Sequence, residues 1–322
     1  MKKKAQVSDR FRDFDANLTT RPWIVLGMGL RRFEKFFSTK NKIIMGLVVI
    51  IYLWTLAFDV LLASGSENYP CVLRDNGDFF DDDYSGPLMV EFKDCGPLTY
   101  YGDLFTGGGI RILIVSLAAI ASGGMIGNDM TNKSLHLYLS RPISRIDYLI
   151  ARFIPVFLLL LLVTAVPNLI VAAAMWSDGG LKTEWITGHK WLIVNIFVQG
   201  IFYSAAYSII GLTFSTALKK ESNASGAFFL FVYGTSIIAE LFFTILKAFG
   251  IDGADGVLLI SVSHVLDMIS YAIFDIEYYV QAGFAPWKVD ISDTEAGAVF
   301  TIIFTGCCGF MYWMILQMEA NK

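Results

Sequence analysis

The chain has 322 residues, of which 55% are hydrophobic, 15% aromatic and only 17% charged, with a mean hydropathy of +0.56. That composition excludes a soluble protein of ordinary cores and makes lipid the solvent. The modest net charge of −4 conceals a partition: Lys and Arg gather in segments on one side of the apolar runs and Asp and Glu on the other, and the Lys/Arg excess marks the cytoplasmic side.

Crossing a hydrocarbon layer about 30 Å thick takes roughly 20 apolar residues in a helix. The runs that meet this are 42–63, 108–127, 148–176, 191–218, 224–247 and 297–317. The expected fold is therefore all-α and polytopic, six transmembrane helices in a single domain over 1–322. Its expected location is the cytoplasmic membrane, with both termini inside.

Taken in chain order, residues 1–41 carry Lys2, Lys3, Lys4, Arg10, Arg12, Arg21, Arg31, Arg32, Lys35 and Lys40, a cytoplasmic signature. Charges precede the first long apolar run throughout, so no cleavable signal is expected. Within this segment Trp23, Leu26, Leu30, Phe33 and Phe37 recur at helical spacing opposite Arg31, Arg32, Glu34 and Lys35, which predicts an amphipathic helix at 22–40 lying in the interface. Asp59 falls near the outer end of the first span.

The outside loop 64–107 is acidic, with Asp75, Asp78, Asp81, Asp82, Asp83, Glu91, Asp94 and Asp103 against Arg74 and Lys93. Its Asp spacing matches no EF-hand pattern, so a solvated acidic face is the reading and no metal is expected. Cys71 and Cys95 sit in the oxidising compartment and are candidates for a disulfide. Arg111, at the outer end of the second span, is at matching depth for an ion pair with Asp59.

Residues 128–147 form a cytoplasmic segment. Leu135, Leu137, Tyr138 and Leu139 cluster, Ser140-Arg141-Pro142 breaks the run, and Ser144 can cap a new helix entering the third span. This describes a short exposed helix and turn suited to docking another protein. Pro155 and Pro167 should kink the third span. After an outside loop at 177–190, the fourth and fifth spans turn at Lys219-Lys220, and Tyr203, Tyr207 and Tyr233 join the Gly and Ser residues within them.

Glu240 lies well inside the fifth span, where an ionised carboxylate costs on the order of 3 kcal/mol, so it must face protein or water or be protonated. With Tyr203, Tyr207 and Tyr233 it is a candidate for lining a pathway. In the outside segment 248–296 the stretch 257–274 is apolar enough to resemble a seventh span. Its Ser263, His264, Asp267 and Ser270 share one helical face, and a full crossing would leave 275–295 cytoplasmic with Lys288 as its sole base, so it is expected to lie in or dip into the outer interface.

The segment GNDMTNKSLHLYLSRPISRIDYLIAR at 127–152 resembles the membrane subunits of type-2 ABC exporters. In those, an acidic residue, a small-Thr-Leu step, a Leu-Leu-Ser-x-Pro turn and an aliphatic-Ser-Arg step precede the third span. The matching residues are Asp129, Ser134-Leu135, Tyr138-Leu139-Ser140-Arg141-Pro142, Ile143-Ser144-Arg145 and Tyr148-Leu149; Lys133 stands where the family usually has Gly, and Ala151-Arg152 where Gly-Lys is common. The architecture agrees over nearly the whole length.

The resemblance implies a permease that pairs with a second copy and docks a separate ATPase subunit, which binds ATP and Mg. The coupling residues it implies are Asp129, Lys133, Ser134, Leu137, Tyr138, Ser140, Arg141, Pro142 and Arg145. Independently, the sequence holds no G-x-x-x-x-G-K-[ST] loop, so this chain is expected to bind no nucleotide by that route and to be no enzyme itself. With three histidines (His136, His189, His264) and neither H-E-x-x-H nor G-x-S-x-G, a membrane enzyme is disfavoured. An anchor or assembly protein on the same scaffold is the other alternative; lipid is the environment and no nucleic-acid partner is expected.

Overall fold

The computed structural model describes residues 108–132, 144–177, 191–251, 253–282 and 285–320, with isolated positions before them. The expected interfacial helix at 22–40, the span at 42–63 and most of the loop at 64–107 lie outside the described residues. So do 133–143 and 178–190.

Eight helices are described: α1 (Gly108–Gly123), α2 (Gly127–Thr131), α3 (Arg145–Thr164), α4 (Val166–Ser177), α5 (Leu192–Leu218), α6 (Glu221–Ala248), α7 (Val262–Phe274) and α8 (Asp293–Ala320). A 3-10 helix, Ala254–Ile260, leads into α7, and a hairpin of β1 (Tyr279–Ala282) and β2 (Ala285–Lys288) follows it. The strands pair antiparallel, Tyr279 opposite Lys288. The chain is an all-α polytopic membrane protein. Among the described residues, five helices are long and apolar enough to cross a membrane, or six if the 3-10 helix and α7 are one bent span.

Helix boundaries follow local chemistry. At α3, Ser144 Oγ accepts from Asp147 N at 3.1 Å and Asp147 Oδ2 accepts from Ser144 N at 3.1 Å, a reciprocal capping box. The third run is broken at Ala165, two residues before Pro167, while Pro155 sits inside α3 without ending it. Asn168 Nδ2 donates to Thr164 O at 2.7 Å, serving a carbonyl at the break. α5 packs there: a Cβ on Gly200 would lie 2.7 Å from Ala165 Cβ, and Thr164 Oγ1 shares hydrogen bonds with Gly200 O (3.3 Å) and Ser204 Oγ (2.9 Å). Glycine at 200 is what lets the two backbones approach.

A second break separates α1 from α2. Ser215 Oγ on α5 accepts from Ile126 N (3.1 Å) and Gly127 N (3.2 Å) and donates to Gly123 O (2.9 Å), so three backbone groups freed by the break are served by one side chain. Close contact is again required: a Cβ on Gly127 would lie 2.4 Å from Lys219 O.

α7 is buried on nearly every face, among them Ser263, His264, Leu266, Asp267, Ser270 and Phe274. Its path is re-entrant. Asp255 of the 3-10 helix pairs with Lys247 at the end of α6 (3.1 Å), whereas Ser263 Oγ donates to Val232 O (3.3 Å), a point about 20 Å deeper along α6 by helical rise. Ser270 then returns to donate to Gly102 O at 3.2 Å, near the start of α1. The 3-10 helix and α7 meet at 106°. The segment read as dipping into the interface is thus a wedge within the bundle, its polar face turned to protein.

Candidate functional site

Two polar clusters stand out against this apolar frame. The first lies where α2 meets α3. Asp129 on α2 is buried, receives a hydrogen bond from Tyr148 Oη at 2.9 Å, and forms an ion pair with Arg152 one turn further along α3. The Arg152 guanidinium also lies 5.1 Å from the Tyr148 ring centre, a cation–π distance. A buried acid is thereby paired and hydrogen-bonded, which is what burial of a charge demands. The cluster joins the two ends of the 128–147 segment.

The remaining residues of that segment singled out in the sequence, Lys133, Ser134, Leu137, Tyr138, Ser140, Arg141 and Pro142, lie outside the described residues. Arg145 is the first residue of α3. In the sequence Arg152 figures only as a departure from the family's Lys. Its position in place of the family's Lys, within reach of an acid on the preceding helix, was the available signal.

The second cluster is organised by α7. Arg111 on α1 forms a buried ion pair with Asp267, and its Nε donates to Phe105 O at 3.0 Å. Tyr203 Oη donates to the other carboxylate oxygen, Asp267 Oδ1, at 2.9 Å, and the Tyr203 ring tilts against Phe105 at 4.8 Å. One turn earlier on α7, His264 Nε2 meets Glu240 Oε1 at 3.2 Å while its Nδ1 lies 2.7 Å from Tyr278 Oη. Ser236 Oγ also donates to Glu240 Oε1, at 3.0 Å. Gln199 Nε2 donates to Ser270 Oγ at 2.7 Å, tying α5 to the same wedge.

Of the four pathway candidates, the structure sets Tyr203 directly on Asp267. Tyr207 is buried beside it, with ring centres 5.9 Å apart, and Tyr233 is half-buried. The hydroxyls of Tyr207, Ser208 and Tyr233 have no hydrogen-bond partner among the described residues. Glu240 stands apart from the tyrosines, its side chain 42% exposed on the outward face of α6. Arg111, expected to meet Asp59, is bound to Asp267; Asp59 lies outside the described residues, as do Cys71 and Cys95. Among the described residues no group of His, Cys, Asp or Glu could hold a metal ion.

The arrangement is that of a membrane transport component: apolar crossing helices, a re-entrant wedge carrying a buried charge layer, and a tethered segment at the opposite end. The chain belongs to the ABC-2 family of transporter proteins, whose family model, described as "ABC-2 family transporter protein", matches residues 5–273. Comparison with curated proteins and with solved structures gave no match. The chain is accordingly an integral, multi-pass permease subunit of an ABC transporter, a membrane component of a family not itself catalytic that generally works with an ABC ATPase subunit.

Proposed function

We propose that this permease forms half of the translocation pathway of an ATP-driven exporter in the cytoplasmic membrane, pairing with a second permease copy. An ATPase subunit, binding ATP and Mg, docks on the cytoplasmic segment 128–147. The observation that carries this reading is the Asp129–Tyr148–Arg152 cluster, which fixes both ends of that segment to the spans. A push on the segment then reaches α3 through Arg152 and α5 through the Ser215 bonds to the α1–α2 break. Closure of the ATPase subunits would shift these helices together and alter the space beside α7. Tyr203, Tyr207, Tyr233 and Glu240 are the pathway residues of this reading, and both termini are cytoplasmic in it.

The test is affinity purification of the chain from its native membrane after crosslinking, with the co-purifying proteins identified by mass spectrometry. A nucleotide-binding subunit in equal amount, crosslinked at Lys133, is the expected result. Arg141→Glu should abolish that recovery while leaving membrane insertion intact. Reproducible absence of such a subunit would transfer the weight to an anchor or assembly role.

A further inference from the structure

Glu240 holds its carboxylate in an unusual way. Both protein donors, Ser236 Oγ and His264 Nε2, reach the same oxygen, Oε1. No partner for Oε2 is found among the described residues, and the group opens onto the outward face of α6 about 12 Å from that helix's end. The surrounding face is apolar and exposed: Ile237 is 63% and Leu241 57% exposed. Tyr233, two turns back on α6, has a buried hydroxyl without a partner among the described residues.

Among the described residues the Lys and Arg groups nearby are taken by other acids. Arg111 on α1 is taken by Asp267 on α7, and Lys247 on α6 by Asp255 on the 3-10 helix. Lys288 is taken by Glu277 at the hairpin, while Asp293 and Glu295 open α8. The titratable groups that α5 brings to this region are the phenols Tyr203 and Tyr207. Among the described residues, what remains to face Glu240 is His264, at the oxygen that Ser236 also reaches.

We propose that Glu240 is the anionic subsite for an amphipathic organic cation, whose apolar body lies along the outward face of α6. The inference rests on the pathway reading and names the class of compound for it.

The experiment measures equilibrium binding of tetraphenylphosphonium to the purified full-length chain in nanodiscs of zwitterionic lipid. Triphenylphosphine oxide serves as a neutral analogue of similar shape. The expected result is binding of the cation that weakens at least tenfold in Glu240→Gln, and weak binding of the neutral analogue throughout. Glu240→Asp, which keeps the charge, should retain more of the cation binding than Glu240→Gln at matched thermal stability. Equal cation binding by wild type and Glu240→Gln, or equal binding of cation and neutral analogue by the wild type, would overturn the proposal. ATPase-subunit recovery scored on the same variants separates the two readings: the subsite fails alone if recovery persists while cation binding ignores Glu240.

Discussion

Arg111 and Asp267 close an ion pair between the start of α1 and the middle of the re-entrant α7, with side chains only 9% and 2% exposed. Removing one partner strands the other charge in an apolar setting. Arg111→Met and Asp267→Leu should each destabilise the protein by about 3 to 5 kcal/mol, whereas the double replacement Arg111→Met with Asp267→Leu should cost much less. Thermal unfolding of the four proteins in one detergent gives the cycle, and additive losses would contradict it.

Arg152→Ala leaves Asp129 buried with Tyr148 as its remaining hydrogen-bond donor in that cluster, and should lower recovery of the ATPase subunit several-fold. Arg152→Lys keeps the charge without the planar fork and should restore part of it. Quantitative co-purification from equal amounts of inserted permease is the measurement.

Ser215→Ala removes one side chain serving three backbone groups at the α1–α2 break. Leaving buried donors unsatisfied costs about 1 to 3 kcal/mol. Hydrogen exchange at the Ile126 and Gly127 amides should accelerate markedly while that of central α5 residues is little changed.

Gly200→Val forces a branched side chain into the space held by Ala165. Overpacking of this kind costs roughly 1 to 3 kcal/mol, read as a lowered melting temperature. Gly226→Ala, where a Cβ meets nothing within 4 Å, provides the contrasting substitution and should leave the melting temperature close to wild type.

The β1–β2 hairpin should respond to pH at both ends of the scale. Hydrogen bonds from Lys288 and Tyr279 hold the Glu277 carboxyl below its usual range, and Glu277 holds the Lys288 ammonium above its own. The carboxylate's contribution is therefore present at neutral pH and lost as acid protonates Glu277; that of Lys288 is present at neutral pH and lost only in strong base. Both groups are solvent-exposed, so the effect is confined to the hairpin. Amide exchange in β1 and β2, corrected for intrinsic rates, should rise below the ordinary carboxylate range while α7 remains protected.

The crossing helices were legible because length and hydropathy alone mark them, and α3 to α6 and α8 lie along the runs read from the sequence. The entry of α3 was legible for a different reason: Ser144 and Asp147 are a local capping pair, complete within four residues. The partner of Arg111 was not. Asp267 is remote in sequence, and depth matching drew attention to Asp59 instead. The spacing of Ser263, His264, Asp267 and Ser270 predicts a polar face, but a sequence does not say whether protein or headgroups receive it, and in the structure these side chains are buried in protein. Ser215 carried no signal at all, because a serine in an apolar helix announces neither the break beside it nor the amides it serves.

Lys219 and Lys220 make the whole connection between α5 and α6, with Lys219 at a positive φ of 54°. A joint that short gives the two helices no slack. It holds them side by side as one antiparallel unit. Two ammonium groups at the bend would resist translocation, which fits the cytoplasmic placement proposed for this joint. Lengthening the joint with neutral residues would let each helix choose its own orientation, and the wedge formed by α7 would then have no fixed wall to be built against.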